Sequence, residues 1–331
     1  MPGAAPTADH SACSGCRLCV LVCPVWRETY DLRMTPKGRA KALQHGAGID
    51  DIAESVEACT LCGACEPACP EHIALVPMVE SLRRQLPRTP PLLEIQARIN
   101  AWSAQPPPQS HPHPDPPPRT GPASSAGLVP CRALRADPSL LARVAELVRA
   151  SVCEDAGEDL AMAIESGAVV PPARLERFLA PLRGLKQVII ADGLLFRHLR
   201  AWLPKTKIES LGEAFSRLPS VRMNLLASDL YVIEPRAFHA DYDRLVKHYD
   251  RLRVERGCAM NLDLQRIAIP ATARNLRQRL GVEAADDAAQ TRWLLQGRKI
   301  ARIVVESADD AAAFRQVGNV PVVHLAELAN E

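Results

Sequence analysis

Eight of the eleven cysteines in this sequence of 331 residues fall into two runs near its start. The first run is Cys13, Cys16, Cys19 and Cys23, and the second is Cys59, Cys62, Cys65 and Cys69. Both runs have the spacing Cys-x2-Cys-x2-Cys-x3-Cys, and a proline follows each one directly, Pro24 and Pro70. Thiolates are soft ligands that suit zinc and iron-sulfur clusters. The chemistry that these residues predict is therefore metal binding.

The spacing within each run favours an iron-sulfur cluster. Three thiolates at intervals of three positions can wrap one corner of an iron-sulfur cube, whereas the fourth, which proline turns away, reaches elsewhere. In two-cluster ferredoxins with this pattern, the fourth cysteine ligates the other cluster. The sequence thus predicts two 4Fe-4S clusters as cofactors. One is held by Cys13, Cys16, Cys19 and Cys69, and the other by Cys59, Cys62, Cys65 and Cys23.

Zinc is the alternative metal, because eight thiolates can also make two closed tetrahedral sites. Zinc sites usually show paired Cys-x2-4-Cys knuckles, not four-cysteine runs that end in proline. Gly15 and Gly63 lie inside the runs, where the chain must wrap an inorganic core with its amides turned toward the sulfurs. The spacing of the cysteines and the prolines that follow them favour iron.

The other three cysteines, Cys131, Cys153 and Cys258, are scattered. Isolated cysteines usually behave as small buried hydrophobes, and an additional metal site is the alternative that we keep open. Cytosolic thiol pools keep such cysteines reduced, so we do not expect disulfides.

Composition excludes some classes of function. The formal net charge of +2 gives no support to binding of nucleic acid. No apolar run reaches the 18 or more residues that a transmembrane helix needs, and the first residues lack the apolar stretch of a secretion signal. We expect a cytoplasmic protein, peripheral to a membrane only through a partner.

Prolines divide the chain. We predict an α-helical ferredoxin domain over residues 1–102, a Pro-rich linker over 103–127 and an α/β domain over 128–331. His111 and His113 lie in the linker, where we interpret them as solvated residues and not as metal ligands. In the first domain, residues 36–57 predict two short helices, and the apolar positions from Val76 to Leu86 predict a third.

In the predicted α/β domain, short runs of valine and isoleucine alternate with stretches of helical periodicity. The strand candidates are residues 187–191, 230–233, 301–305 and 320–324. Asp137 as N-cap and Pro138 at the first helical position predict the start of a helix.

The first domain resembles the iron-sulfur subunits that accompany flavin or membrane dehydrogenases. These include the iron-sulfur subunits of glycolate oxidase, anaerobic glycerol-3-phosphate dehydrogenase (C type), lactate utilisation proteins and heterodisulfide reductase (C and D types). The resemblance rests on residues 13–26, on Pro36, Gly38 and Arg39, and on residues 59–70. It implies an α-helical ferredoxin, not the small βαβ kind.

In that family an α/β domain with two Cys-Cys-Gly motifs commonly follows. Residues 128–331 resemble it in layout, through 128–131, 233–239 and 322–328, but the chain contains no adjacent cysteines. Residues 159–167 and 266–272 stand where the motifs are expected. We interpret this part as a degenerate cysteine-rich domain that keeps the fold and has lost the ligands.

The leading functional hypothesis is an electron-transfer subunit. It would relay single electrons between a dehydrogenase or flavoprotein and a downstream subunit, with a membrane or quinone-linked protein among the partners. Arg33, Lys37, Arg39 and Lys41 form a basic patch that either steers an acidic partner or is a solvated helix face.

Two alternatives stay open. The α/β domain could keep its own substrate site at a strand end, which would make the chain an oxidoreductase in itself, or the clusters could be structural parts of a scaffold. The polar residues at that strand end are Glu234, Arg236, His239, Asp241, Tyr242 and Asp243. The sequence names no catalytic residue, and we favour an electron-transfer subunit over a self-sufficient enzyme.

Overall fold

The fold is taken from a computed structural model that describes residues 9–104, 125–263 and 265–330. His111, His113 and most of the predicted linker lie outside the described residues. The N-terminal part, residues 9–104, is helical. Its helices are α1 (Leu18–Leu21), α2 (Pro24–Thr29), α3 (Pro36–Gln44), α4 (Ile49–Ala58), α5 (Leu75–Gln85) and α6 (Pro90–Ala104).

The three helices predicted in this part are confirmed as α3, α4 and α5. Helix α3 begins where the Thr35 hydroxyl accepts a hydrogen bond from the Gly38 N–H at 3.1 Å. Gly38 is required there, because a Cβ would lie 2.0 Å from the Leu32 carbonyl oxygen. Helix α4 begins at Gly48, whose N–H donates to the Asp51 carboxylate at 2.8 Å.

The C-terminal part, residues 125–330, alternates strands and helices. Its strands are β1 (Ala126–Val129), β2 (Ser151–Val152), β3 (Gln187–Ile190), β4 (Lys207–Ser210), β5 (Asp229–Val232), β6 (Ala259–Met260), β7 (Arg302–Val305) and β8 (Val322–His324). They form two parallel sheets in the orders β2-β1-β3-β4 and β6-β5-β7-β8. Parallel strands need crossover connections, and helices supply them here.

Helices α7–α11 belong to the first sheet and its crossovers, and α12–α18 complete the chain. They are α7 (Arg132–Arg135), α8 (Pro138–Leu147), α9 (Glu158–Ser166), α10 (Pro172–Leu179), α11 (Gly193–Trp202), α12 (Leu211–Ser216), α13 (Pro219–Met223), α14 (Pro235–Ala240), α15 (Tyr242–Arg256), α16 (Leu276–Arg279), α17 (Ala288–Leu295) and α18 (Ala308–Val317). Within the described ranges, no helix is both long enough and apolar enough to cross a bilayer.

The predicted strands all exist, as β3, β5, β7 and β8, each within two residues of the predicted limits. Helix α8 has the predicted cap, since Asp137 Oδ1 accepts a hydrogen bond from the Leu140 N–H at 3.0 Å. Strand β1 begins at Ala126, so the α/β fold starts inside the predicted linker. The division into domains otherwise stays a prediction.

The two sheets repeat one plan. Each has four strands in the same order. The last residue of the final strand of each sheet starts a similar motif, Ser-Leu-Gly-Glu in the first sheet and His-Leu-Ala-Glu in the second. The segments are 210–213 after β4 and 324–327 after β8. Ser210 Oγ accepts a hydrogen bond from the Glu213 N–H, and His324 Nδ1 accepts one from the Ala326 N–H, each at 3.2 Å. Leu211 and Leu325 then join the same core, so the halves pack together.

Helix α6 fastens the N-terminal part to the α/β part. Its Ile95 and Ile99 pack with Ala163 of α9 in one apolar cluster. The Gln96 side chain accepts a hydrogen bond from the Val169 N–H at 2.8 Å and donates one to the Val169 carbonyl at 2.9 Å. A second apolar cluster joins α5 to Leu194 and Leu276 of the α/β part. The two parts therefore share buried surface.

Candidate metal centres

The eight cysteines of the two runs line two separate cavities. The first pocket is lined by Cys13, Cys16, Cys19 and Cys69, and the second pocket by Cys23, Cys59, Cys62 and Cys65. Each pocket thus combines three cysteines of one run with the last cysteine of the other. This grouping is the one that the sequence predicts, whereas the identity of the metal stays a prediction.

The two loops that supply the cysteines have left-handed residues at the same two positions. Two positions after the first cysteine of each run, the backbone has a positive φ, which is 83° at Gly15 and 52° at Leu61. So does the residue after the second cysteine, with 72° at Arg17 and 79° at Gly63. Residues that alternate between right- and left-handed conformations turn successive N–H groups into one concavity, as in many iron-sulfur sites. The loops are therefore shaped for an anionic group.

Burial keeps the thiols of Cys19, Cys62 and Cys65 protonated when no metal is bound. It raises the pKa of Cys19 to about 11, with a further contribution from the neighbouring Cys13, and it raises the pKa of Cys62 to about 11. The pKa of Cys65 is raised well above its usual value by burial and by Cys62. Metal binding must displace these protons, so it depends on pH.

Backbone N–H groups offset part of this cost. The N–H of Lys37 donates to the sulfur of Cys19, and the N–H of Ala64 donates to the sulfur of Cys62. Such donors stabilise the thiolate form and tune a bound cluster.

The second pocket is held by side chains from beyond its own loop. His239 Nδ1 lies 2.7 Å from the Cys62 carbonyl oxygen, and Arg236 Nη2 donates to the Thr60 carbonyl at 2.7 Å. Arg83 of α5 donates to the Cys59 carbonyl. His239 and Arg236 belong to α14, so the α/β part fixes the shape of this loop.

The first pocket is held within the N-terminal part and lies nearer the surface. Lys41 Nζ and Gln44 Nε2 of α3 each donate to the Cys13 carbonyl at 3.0 Å. Cys16 is exposed, whereas Cys62 is buried. The exposed apolar side chains Leu18 and Leu21 follow Cys16 in the sequence. The two pockets therefore differ in their access to solvent.

Comparison with protein families identifies this part of the chain. Residues 9–73 match the family described as a 4Fe-4S dicluster domain. The N-terminal part is a 4Fe-4S ferredoxin-like domain. The match covers all eight cysteines of the two runs and none of the α/β part. No curated protein and no solved structure matches the chain.

The ferredoxin-like domain fits 4Fe-4S clusters by the chemistry of its donors. Four thiols surround each pocket, and N–H groups face the sulfurs. In residues 9–104, 125–263 and 265–330, no three His, Cys, Asp or Glu side chains are grouped as a single metal ion requires. A 4Fe-4S cluster takes four thiolate ligands, which is the number of cysteines that line each pocket. Such a group, when bound, takes up and releases one electron.

One of the four residues predicted to form a basic patch on the ferredoxin-like domain is buried, so the prediction is wrong for that residue. Arg39 is 2% exposed, and its Nη1 donates to the carbonyls of Met34 at 3.1 Å and Ser55 at 2.7 Å. Its position on the inner face of α3 lets the guanidinium satisfy these carbonyls. Arg33 is exposed and pairs with Asp31 at 2.6 Å, while Lys41 serves the first pocket.

The polar residues predicted to share a strand end are separated in the structure. Glu234 caps α14, where its carboxylate accepts hydrogen bonds from the N–H groups of Arg236 at 3.1 Å and Ala237 at 2.7 Å. His239 serves the second pocket, and Asp241 pairs with Arg200 at 3.0 Å. The reason is that α14 turns successive side chains to different faces.

The remaining members of that set lie apart as well. Tyr242 donates to the Gln265 carbonyl at 3.1 Å, and Asp243 lies in the first turn of α15. Arg236 alone among the six lines a large cavity.

Cys131, Cys153 and Cys258 are free thiols in different places. Cys131 follows β1, Cys153 follows β2, and the buried Cys258 precedes β6 within the core. Burial raises the pKa of Cys131 to about 12 and those of Cys153 and Cys258 to about 11. Cys258 packs in the core as a small apolar residue, whereas Cys131 and Cys153 are half-buried.

The feature that sequence reasoning missed is the cavity that Arg236 lines, which has a volume of about 880 Å³. Its wall also includes Glu165, Arg274 and Arg279. Glu165 lies in the segment 159–167, where the family resemblance placed a Cys-Cys-Gly motif. No local pattern indicates this site, because its residues come from distant segments that meet only in the fold.

Proposed function

We propose that this chain is an electron-transfer subunit that relays single electrons through two 4Fe-4S clusters. The donor would be a dehydrogenase or flavoprotein, and the acceptor another subunit or a quinone-linked protein. The observation that carries the proposal is the exchange of the last cysteine between two pockets with matching loops. One ligand set for each cluster follows, with Cys69 in the first and Cys23 in the second.

The two pockets suit different steps of a relay. The first pocket has the exposed Cys16 and is bordered by α1, whose Leu21 is 59% exposed. Leu18, at the start of α1, is 40% exposed. An apolar surface beside a redox site supports docking of a partner there. The second pocket is covered by His239 and Arg236, which supports transfer toward the α/β part.

The proposal places the chain in the cytoplasm, where thiols stay reduced until iron binds them. It reaches a membrane only through a partner. The α/β part serves as the platform on which the other subunits assemble.

Cysteine variants test the ligand sets. We expect Cys16→Ala and Cys69→Ala to lose the same centre, because both residues line the first pocket. Cys62→Ala and Cys23→Ala should both lose the other centre. Iron analysis and electron paramagnetic resonance of anaerobically prepared protein measure this, and each variant should keep one of two centres. Electron transfer from dithionite to an artificial acceptor should fall in all four.

Cys153→Ala is the matched control, because this free cysteine lines neither pocket. It should keep both centres. Colourless protein with stoichiometric zinc would overturn the proposal, and so would full iron content and full activity in Cys16→Ala or Cys62→Ala. If Cys69→Ala and Cys62→Ala lost the same centre, the exchange of ligands would be wrong.

The large cavity supports a second candidate, an oxidoreductase with its own substrate site in the α/β part. In that case the purified chain would convert a substrate without any other subunit when given dithionite or an artificial acceptor. A subunit that only relays electrons would show no such turnover.

A further inference from the structure

The large cavity lies where parallel sheets present ligand sites. Cys131 follows β1, Asp192 follows β3 and Arg236 follows β5, and all three line it. Ligands of open α/β sheets bind at the carboxyl ends of the strands. Met162 of α9 and Leu195 of α11 add apolar side chains to the wall. The volume of about 880 Å³ is within the range of small-molecule sites.

Arg279, the last residue of α16, is the unusual group in this wall. Its Nε is buried and has no hydrogen-bond partner. The guanidinium makes no hydrogen bond to any residue in the described part of the chain, and its nearest ion-pair contact is Glu165 Oε1, 3.4 Å from Nε. A guanidinium carries five N–H donors, and leaving them unpaired away from water is costly. Arg279 therefore offers its donors to the cavity.

The neighbouring carboxylates are already engaged. Glu165 accepts hydrogen bonds from Arg236 Nη1 at 2.9 Å and from Arg83 Nη1 at 3.3 Å. Burial opposes its ionisation, but Arg236, Arg279 and Arg83 outweigh that effect and lower its pKa to about 2. One carboxylate thus serves three arginines, and the hydrogen bonds that Glu165 accepts come from Arg236 and Arg83 and not from Arg279.

Other acids of the wall do not reach Arg279 with a hydrogen bond. Asp192 Oδ1 accepts the N–H groups of Leu194 and Leu195, both at 2.9 Å, at the start of α11. Asp309 lies in the first turn of α18 and attracts Arg279 only through space. Arg274, another of the arginines in the wall, is held by Asp287 at 2.6 Å.

We propose that this cavity binds a small organic carboxylate, whose two oxygens accept the unpaired N–H groups of Arg279. A planar guanidinium and a carboxylate match in two parallel hydrogen bonds. Arg236 adds a second positive charge beside it, and Met162 and Leu195 provide apolar contact for the body of the ligand. The inference goes beyond the relay, because binding requires no electron transfer.

The site also adjoins the second pocket. Arg236 lines the cavity and donates to the Thr60 carbonyl in the loop of Cys59 and Cys62. A bound carboxylate therefore changes the electrostatic surroundings of that loop.

Calorimetric titration of the purified full chain tests the proposal. The probes are succinate and benzoate, and their uncharged matches are succinamide and benzamide. We expect saturable binding of one molecule per chain for at least one carboxylate, and none for either amide. Arg279→Gln should weaken that binding by at least tenfold. Arg279→Lys keeps the charge but not the paired donors, so it should also weaken binding.

Arg277→Gln is the matched control, because Arg277 lies on the same helix and pairs with the exposed Glu283. It should bind as the wild type does. A melting temperature measured for Arg279→Gln shows whether the variant, which loses its ion-pair contact with Glu165, is still folded. Equal affinity in Arg279→Gln, equal binding of the amides, or no saturable binding of either carboxylate would overturn the inference. Unchanged paramagnetic signals in Arg279→Gln would separate such a failure from a failure of the relay.

Discussion

The Nδ1 atom of His239 lies 2.7 Å from the carbonyl oxygen of Cys62. The other ring nitrogen, Nε2, accepts a hydrogen bond from the Ala268 N–H at 3.2 Å, so Nδ1 carries the proton and donates it. Burial lowers the pKa of His239 to about 4, which leaves the ring neutral at pH 7. One imidazole thus joins the second pocket to two segments of the α/β part.

Replacing His239 should disturb one centre only. His239→Ala leaves the buried Cys62 carbonyl without its donor, which costs about 1–3 kcal/mol of unfolding free energy. We expect the paramagnetic signal of the second pocket to change and that of the first pocket to stay. Gln44→Ala is the matched variant, because Gln44 donates to the Cys13 carbonyl, and it should change the first signal alone. The same signal changing in both variants would contradict this assignment.

At the left-handed positions of the two loops, gaining a glycine should stabilise the folded chain and losing one should destabilise it. Arg17 is exposed with a φ of 72°, a conformation that costs a residue with a side chain about 1 kcal/mol. Arg17→Gly should therefore stabilise the folded chain by about 0.5–1 kcal/mol. The equivalent Gly63→Ala should destabilise it, because its Cβ would lie 3.0 Å from His239 Cβ. Chemical denaturation measures both, and a loss in Arg17→Gly would refute the argument.

Glu165 holds together three arginines from different parts of the chain. Glu165→Gln removes a buried charge that Arg83, Arg236 and Arg279 need, so we expect a loss of about 3 kcal/mol of unfolding free energy. Glu176→Gln is the control, because Glu176 forms an exposed pair with Arg183. Denaturation should show no measurable change in that variant. Equal effects of the two substitutions would rule out the central role of Glu165.

The buried carboxyl group of Glu306 should make the free energy of unfolding fall as pH rises. Its carboxyl accepts hydrogen bonds from the hydroxyls of Tyr231 at 2.7 Å and Tyr249 at 2.6 Å. Burial raises its pKa from 4.5 to about 7. The folded chain therefore binds more protons than the unfolded chain between these values, and stability is lost as pH rises from about 4.5 through 7.

Glu306→Gln should remove part of this dependence. Thermal melts at pH 5 and pH 8 should differ less in the variant, by about 2 kcal/mol when expressed as unfolding free energy. Asp310, whose pKa burial raises to about 8, keeps the rest of the slope. A variant with the same slope as the wild type would show that Glu306 does not titrate in this range.

The cysteine pockets could be predicted from the sequence because ligand spacing is a local property. Strands β3, β5, β7 and β8 could be predicted for a similar reason, since their apolar runs are continuous. Strands β2 and β6 escaped prediction because two residues carry no period. The hydrogen bond from His239 to the Cys62 loop joins residues 177 positions apart, and no pattern records it. Arg39 was wrongly predicted to be exposed, because the sequence does not show that its guanidinium has buried carbonyl groups as hydrogen-bond partners.

The repeated plan of the two sheets has a further consequence. Cys131 and Glu234 occupy equivalent positions, each two residues beyond the end of the first strand of its half and each at a helix start. The backbone is thus duplicated while the chemistry at matched points has diverged. A thiol stands at this point in one half and a carboxylate that caps a helix stands there in the other, so one backbone plan presents two different donor groups.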